Sequence, residues 1–218
     1  ATPKGGGIGI LAAFIFLCLW HKMSWLFWLP VTGISLFSFC GDRIEISPKK
    51  RLFIQFLLVS IVLFGFELDM SPFFTFKGSI SSAFIAEETT IWILLSIFIV
   101  GTTNFYNFMD GIDGLAGITG IISFLMLAIA SWQNESSLLA LFSICIASSC
   151  LGFLPFNFPK AKIFMGDVGA VLLGVLFSIF VIQVSNNWTD FFCYAGFLSL
   201  FYSDVLATML ERVKNKET

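Results

Sequence analysis

The sequence has little charge for its length. Only 12% of its 218 residues are charged and 57% are hydrophobic, whereas about 25% of the residues in a soluble globular domain are charged. With a mean hydropathy of +0.93, this composition excludes an ordinary soluble domain and predicts an integral membrane protein. Because each spanning helix takes about 20 apolar residues, we expect residues 1–218 to form one membrane domain.

Basic residues are not in excess, and histidine is nearly absent. The net charge is −2 and the isoelectric point is near 5.3, so the sequence lacks the positive charge with which nucleic-acid-binding proteins hold phosphates. The one histidine, His21, excludes metal sites with two histidines and excludes catalytic triads elsewhere in the chain. The five cysteines do not have the C-x-x-C spacing of metal sites. Because the sequence has no excess of positive charge, we expect no nucleic-acid partner.

Long apolar runs follow one another along the whole chain. They cover about residues 6–20, 25–40, 52–66, 89–106, 115–132, 137–155, 168–185 and 190–209. Runs of this length and composition are typical of membrane-spanning helices. The sequence therefore predicts an all-α, polytopic bundle of about eight transmembrane helices, which lies in a lipid bilayer.

The positively charged residues are unequally distributed between the two sides of the predicted bundle. One side carries Lys4, Arg43, Lys49, Lys50, Arg51, Lys160, Lys162, Arg212, Lys214 and Lys216, and the other side carries Lys22 and Lys77. Because positively charged loops stay in the cytoplasm, we place the first side and both chain ends in the cytoplasm, with the protein in a bacterial inner membrane. The same side carries Asp42, Asp110, Asp113 and Asp167. Carboxylates clustered near a membrane predict a functional site.

Segment 103–117 combines amides, carboxylates and glycines between two predicted spans. Asn104, Asn107, Asp110 and Asp113 recur at every third residue. This row covers half of the circumference of an α-helix and would stack on one side of a 3₁₀ stretch, so in either form it lines the cytoplasmic mouth. Each Asp-Gly pair favours a turn with accessible backbone, and Asp113 is placed to cap the following helix.

Segment 156–170 leads from a cytoplasmic loop into the start of another helix. The free N–H groups and the dipole at a helix start favour phosphate, and two glycines keep the backbone accessible there. Asp167 is placed to bind a hard cation, with a simple helix cap as the alternative. This segment therefore predicts a site for phosphate and metal.

Segment 40–51 is a charged cytoplasmic loop. Asp42 and Arg43 lie at the end of a span, and Ser47-Pro48 starts the following helix; a solvated loop without function would look similar. In all three segments the candidate ligands are carboxylates and amides, which suit Mg²⁺ or Mn²⁺. Since Mg²⁺ bridges phosphates in such sites, the sequence predicts phosphoryl transfer at the membrane surface. A transporter is the second hypothesis, and the position of the aspartates at one membrane surface disfavours it.

Four ordered segments resemble the motifs of the polyprenyl-phosphate N-acetylhexosamine-1-phosphate transferases of glycosyltransferase family 4. Residues 2–7, Thr-Pro-Lys-Gly-Gly-Gly, resemble the family's Thr-Pro-x-x-Gly-Gly motif, and residues 42–51 resemble its Asp-Asp-x-x-x-x-Ser-Pro loop. Residues 104–117 and 156–169 are similar to its two most specific signatures. The opening motif is closer to the O-antigen-type branch than to enzymes with a pentapeptide-bearing donor.

The resemblance implies transfer of a sugar 1-phosphate from a UDP-N-acetylhexosamine to undecaprenyl phosphate, with release of UMP and with Mg²⁺ as cofactor. Either one direct displacement or a covalent intermediate fits it. The implied catalytic residues are Asp42, Asp110, Asp113 and Asp167, of which Asp110 and Asp167 ligate the metal. The implied substrate-binding residues are Lys4, Arg43, Asn104, Asn107, Gly111, Asn157 and Phe164, the last as a stacking partner of uracil.

Three departures from the family pattern remain. Gly41-Asp42 stands where the family has two adjacent Asp residues, and Ala170 stands where it has Ser. The chain stops at Thr218, before the family's His-rich sugar-recognition loop, and has fewer spans than the family, so we expect a fragment that lacks both ends. A catalytically impaired homologue that only binds substrates is the alternative to an active transferase.

Overall fold

The protein is all-helical over the residues that its computed structural model describes, which are 2–41, 46–65, 73 and 82–215, without the side chains of 82–86. Within these ranges the chain forms nine α-helices and no β-strand, as predicted. The helices are α1 (Ile8–Trp20), α2 (Trp25–Gly41), α3 (Pro48–Gly65), α4 (Ser82–Phe108), α5 (Leu115–Gln133), α6 (Ser137–Asn157), α7 (Gly166–Val184), α8 (Trp188–Ala195) and α9 (Ser199–Asn215).

Five of the described helical stretches are long and apolar enough to cross a membrane. They are Glu87–Gly111, Leu115–Gln133, Ser137–Asn157, Gly166–Val184 and Trp188–Asn215. The apolar helices α1 and α2 are shorter, with 13 and 17 residues, and α3 begins with a run of positively charged residues. The helices support the prediction of a membrane protein, and the count of about eight crossings stays a prediction.

The last predicted apolar run is divided by a short turn. α8 ends at Ala195, the 3₁₀ turn Gly196–Leu198 follows, and α9 begins at Ser199. A hydropathy profile averages over a window of about 19 residues. It therefore does not detect a change of helix type within a run that keeps the same apolar character.

α7 lies at the centre of the described bundle. All of its residues are buried except Asp167 and Gln183, and it packs against α1, α2, α4 and α5. A helix that is apolar on every side belongs where other helices surround it. Its small residues Gly169 and Gly174 let neighbouring backbones approach closely.

The surrounding helices expose large apolar side chains to the outside. Trp20, Phe64, Trp132 and Leu210 are 70–77% exposed. Soluble monomers rarely have large contiguous apolar patches, whereas membrane proteins cover such a surface with lipid. The outer surface of the bundle therefore suits a bilayer.

We expect Gly174→Ala to destabilise the bundle. A Cβ on Gly174 would lie 2.6 Å from the Cα of Thr103 and 3.2 Å from the carbonyl oxygen of Thr102, and these backbone atoms of α4 cannot move aside by a rotamer change. Overpacking costs about 1–3 kcal/mol, which thermal unfolding in detergent should show as a lower midpoint. The matched control is Gly152→Ala in α6, where a Cβ would meet no atom within 4 Å. Equal midpoints for the two variants would contradict the prediction.

Several helix ends meet at one end of the bundle, because successive helices run in opposite directions. α1, α3, α5 and α7 begin there, and α2, α4 and α6 end there. At the opposite end, Nδ2 of Asn134 donates a hydrogen bond of 2.8 Å to the carbonyl oxygen of Val184, and the ring of His21 contacts that of Phe142. We call the first of these ends the site end.

Candidate active site

Residues 3–7 form a strap across the site end, beside residues 164–165. Four backbone hydrogen bonds of 2.9–3.1 Å join the two segments, and Lys4 pairs with Phe164 as an isolated parallel bridge. The N–H of Phe164 donates to the carbonyl oxygen of Pro3. The N–H groups of Gly5 and Gly6 donate to the carbonyl oxygen of Phe164, and the N–H of Gly7 donates to that of Met165. The motif of residues 2–7 therefore holds the backbone of the motif of residues 156–169.

Gly7, the last residue of the strap, contacts the backbone of α7 directly. A Cβ on Gly7 would lie 2.3 Å from the Cα of Gly169 and 2.5 Å from its nitrogen. The restriction is mutual, since a Cβ on Gly169 would lie 2.6 Å from the Cα of Gly7. This contact of two bare backbones fixes the start of α1 against the first turn of α7, which carries Asp167.

Asp110 holds the backbone turn at which α7 begins. It lies in the 3₁₀ turn Met109–Gly111, and its Oδ2 accepts a hydrogen bond of 2.6 Å from the backbone N–H of Gly166. Gly166 has a φ of +72°, a left-handed conformation that favours glycine. Asp110 also interacts electrostatically with Asp167 and Lys4. Charged residues from three separate motifs are thus brought together.

Asp113 does not cap α5, and this prediction is wrong. The N-cap residue is Gly114, with a φ of +78°, and no side chain caps the helix. A side-chain cap requires an extended residue at the N-cap position, and the left-handed Gly114 occupies that position instead. Oδ2 of Asp113 accepts a hydrogen bond of 3.1 Å from the backbone N–H of Ala161, which lies in the loop after α6.

Asn157 joins the two most specific motifs through both ends of its amide. Oδ1 accepts a hydrogen bond of 2.8 Å from the backbone N–H of Gly114, and Nδ2 donates one of 3.0 Å to the carbonyl oxygen of Ile163. Asn157 is only 1% exposed. These contacts position the loop around residues 158–165, and a contact between Asn157 and a substrate stays a prediction.

Arg51 forms an ion pair with Asp167. Its Nη2 lies 2.6 Å from Oδ2 of Asp167, and the two side chains are 26% and 13% exposed. Arg51 comes from the first turn of α3, and Asp167 comes from the first turn of α7. Arg51 belongs to the motif of residues 42–51, but no local pattern in the sequence predicts this contact.

Gln55 is a second residue of the site end that is not among the predicted site residues. It is 1% exposed, and its Oε1 accepts a hydrogen bond of 2.8 Å from Nδ2 of Asn104, which also donates to the carbonyl oxygen of Val100. The signal was present in the sequence. Gln55 follows Arg51 by four positions and lies among apolar residues of α3, so the two polar side chains share a helix face.

The other predicted residues differ in their surroundings. Asn107 lies on α4 with a buried Oδ1 that has no hydrogen-bond partner among the described residues. Phe164 is partly buried, whereas Lys4 and Gly111 are exposed. The remaining two predictions, Asp42 and Arg43, lie outside the described residues.

An apolar groove lies between α3 and α4 and reaches the Arg51–Asp167 ion pair. Its cavity has a volume of about 680 Å³. The lining residues are Ile46, Pro48, Lys49, Arg51, Leu52, Phe56, Ile97, Val100, Gly101, Asn104 and Phe108. Apart from Lys49, Arg51 and Asn104, these side chains are apolar. The α3–α4 groove thus places an apolar surface beside charged groups.

Comparison with known proteins assigns the family. The family model described as Glycosyl transferase family 4 matches residues 24–185. The chain belongs to glycosyl transferase family 4. The phospho-N-acetylmuramoyl-pentapeptide-transferase of Staphylococcus saprophyticus is 31% identical over 236 aligned positions, which cover 100% of the chain and 72% of that protein. Proteins of the same name are 30% identical in Staphylococcus epidermidis, with 100% and 72% covered, and 31% identical in Geobacillus kaustophilus, with 79% and 58% covered.

Membership in glycosyl transferase family 4 confirms the resemblance that the four motifs indicate. The matched range contains the ion pair of Arg51 with Asp167 as well as Asp110 and Asn157. Membership in a transferase family also argues against the transporter hypothesis. The roles of individual residues stay predictions.

The family resemblance implies Mg²⁺, and two carboxylates of the site fit this ion. Within the ranges that the structure describes, no group of three or more His, Cys, Asp or Glu side chains is placed to hold a metal. Proteins usually hold Mg²⁺ with one or two carboxylates, completed by water and substrate phosphates. Asp110 and Asp167 supply such a pair, so the donor set suits a cation that is shared with a diphosphate.

Proposed function

We propose that this member of glycosyl transferase family 4 transfers a sugar 1-phosphate from a UDP-N-acetylhexosamine to undecaprenyl phosphate and releases UMP. One observation carries the proposal: the carboxylates of Asp110 and Asp167 and the guanidinium of Arg51 lie together beside an apolar groove. A reaction between a nucleotide sugar and a lipid phosphate needs charged groups and an apolar surface at one place. The names of the relatives support the same class of reaction.

In the proposed reaction, the phosphorus next to the sugar exchanges its bond to an oxygen of UMP for a bond to an oxygen of the lipid phosphate. An oxygen of the lipid phosphate forms a new bond to this phosphorus, either directly or after an enzyme nucleophile has taken the sugar phosphate. The bond from this phosphorus to the UMP oxygen breaks, and the electron pair leaves with UMP. A bound Mg²⁺ would neutralise charge on the diphosphate.

The residues of the chain position the reacting groups. Asp110 holds the N–H of Gly166 at the start of α7, where the positive end of the helix dipole favours phosphate. Arg51 orients the carboxylate of Asp167. Because phosphoryl transfer depends mainly on positioning and on charge neutralisation, we assign these contacts a part in catalysis.

The α3–α4 groove is the proposed location of the prenyl chain. Leu52, Phe56 and Ile97 give it an apolar lining, and Lys49 and Arg51 add two positive charges. Burial of a prenyl chain against such a lining is favourable by about 25 cal/mol for each Å² of apolar surface. The lipid phosphate would then lie at the charged end of the groove, close to Asp167.

The donor sugar and the orientation complete the proposal. The Thr-Pro-Lys-Gly-Gly-Gly opening favours a donor of the O-antigen-type branch, whereas the relatives described above are named for a pentapeptide-bearing donor. A donor panel must therefore contain donors of both kinds.

The orientation in the membrane is a separate part of the proposal. We place the site end in the cytoplasm of a bacterial inner membrane, because Lys4, Lys49 and Arg51 lie at this end and positively charged loops stay inside.

The test is UMP release by the purified full-length protein in detergent with Mg²⁺, undecaprenyl phosphate and a panel of donors that includes UDP-GlcNAc and UDP-MurNAc-pentapeptide. We expect release with one N-acetylhexosamine donor and a loss of at least about 100-fold in Asp167→Asn, since neutralising charge at a diphosphate is worth several kcal/mol. The matched control is Asp190→Asn. The carboxylate of Asp190 lies at the start of α8 and accepts a hydrogen bond from the backbone N–H of Asn186. It should keep the rate.

Two results would count against the proposal. UMP release that does not need the lipid would indicate hydrolysis of the donor instead of transfer. No release with any donor would favour the impaired, binding-only homologue that Gly41 suggests.

A further inference from the structure

Arg51 pairs with the carboxylate that a cation would use. The distance of 2.6 Å from its Nη2 to Oδ2 of Asp167, with both side chains mostly buried, makes the attraction stronger than it would be in water. A divalent cation that binds Asp167 must compete with this guanidinium or share the carboxylate with it. The free protein therefore holds a positive charge of its own at the proposed metal ligand.

Gly41 gives the guanidinium the space in which it lies. A Cβ on Gly41, at the end of α2, would lie 3.0 Å from Nη2 of Arg51 and 3.8 Å from its Cζ. The guanidinium thus lies over bare backbone at this position. A larger residue would share this space with Arg51, and a carboxylate there would offer Arg51 a second partner besides Asp167.

We propose that Gly41 and Arg51 together set a low affinity of the Asp167 site for divalent cations. Arg51 neutralises Asp167 in the free protein, and Gly41 leaves Arg51 with no competing carboxylate at residue 41. The inference rests on the proposed function only in the assignment of Asp167 as a metal ligand. A diphosphate that arrives with its cation can then attract the guanidinium, because Arg binds phosphates in a bidentate manner, and free the carboxylate for the cation.

The first test is binding of Mn²⁺ to the purified full-length protein in detergent without substrates, measured by the paramagnetic resonance of free Mn²⁺. We expect Arg51→Gln to lower the Kd for Mn²⁺ by at least about tenfold, because a positive charge next to Asp167 is removed. The matched control is Lys50→Gln. Lys50 is the neighbouring residue on α3, is exposed and forms no salt bridge with another described residue, so its loss should change the Kd by less than about twofold.

The second test uses Gly41→Asp and its uncharged counterpart Gly41→Asn. We expect Gly41→Asp to lower the Kd by about tenfold, because the new carboxylate draws Arg51 away from Asp167, and we expect Gly41→Asn to have a smaller effect. In the double variant that combines Gly41→Asp with Arg51→Gln, the two effects on the Kd should be less than additive, since both act through the same ion pair. Full additivity would mean that the residue at position 41 binds the cation itself, and it would overturn the pairing.

An unchanged or weaker affinity in Arg51→Gln would overturn the proposal, because the charge of Arg51 would then not oppose the binding of the cation. An equal gain of Mn²⁺ affinity in Lys50→Gln would show an effect of surface charge alone and would also overturn the proposal. The absence of Mn²⁺ binding in every variant would overturn it too. UMP release tests the proposed function separately. A protein that releases UMP with unchanged Mn²⁺ affinity in Arg51→Gln keeps the function and loses this inference.

Discussion

Gly7→Ala is expected to lower the rate of UMP release by about 100-fold, because displacement of catalytic groups by about 1 Å has effects of this size. The added methyl group would lie 2.3 Å from the Cα of Gly169, so the start of α1 and the first turn of α7 must separate. Their separation moves Asp167 and stretches the hydrogen bonds between the strap and residues 164–165. The rate at saturating donor and lipid measures the effect.

The control for this prediction lies two residues further along the chain, in the first turn of α1. A Cβ on Gly9 would meet no atom within 4 Å, so Gly9→Ala adds the same group to α1 without a collision and should keep the rate. If Gly7→Ala were as active as Gly9→Ala, the strap would not determine the geometry of the site. Thermal unfolding of both variants separates a displaced strap from a protein that has lost its fold.

Asp110→Asn is expected to reduce UMP release by at least about 100-fold while the fold is retained, since the lost charge faces a diphosphate and its cation. The oxygen of the new amide can still accept the hydrogen bond that the carboxylate now receives from Gly166 at 2.6 Å. The substitution therefore removes charge and keeps the contact. UMP release measures the first effect, and thermal unfolding in detergent measures the second.

Asp110→Leu provides the comparison, since it removes both the charge and the acceptor. It leaves the N–H of Gly166 without its partner, which costs about 1–3 kcal/mol for a buried group, so its unfolding midpoint should fall below that of Asp110→Asn. If Asp110→Asn kept the rate, the carboxylate would serve only to hold the turn at Gly166. An equal loss of stability in both variants would show that the contact depends on charge.

The positions of the central helices could be predicted well from the sequence. The apolar runs at about 115–132, 137–155 and 168–185 correspond to α5, α6 and α7 within two residues at each end, because long apolar runs end where polar loop residues begin. Hydropathy does not show which helix is enclosed. α7 is apolar on all sides, and this pattern suits both a helix in lipid and a helix inside protein.

The residues of the site could be predicted less completely. The motifs place Asp110 and Asp167 on the same side, and the structure brings them together. The ion pair of Arg51 with Asp167 joins residues that are 116 positions apart, and no local pattern specifies such a contact. The cap predicted for Asp113 fails for a related reason, since its carboxylate accepts a hydrogen bond from a backbone N–H in the loop after α6, 48 positions along the chain.

The central position of α7 has a consequence for the order in which the protein is assembled. Synthesis proceeds from the N-terminus, so the ribosome has produced α1–α6 before residues 166–184 exist. Until then the strap and Arg51 have no partners on α7, and the helix faces that finally contact α7 are covered by lipid or by one another. Insertion of α7 brings the parts of the candidate site together, and α8 and α9 then pack against α7 and α4. A nascent chain that ends before Gly166 therefore has most of its helices and no candidate active site.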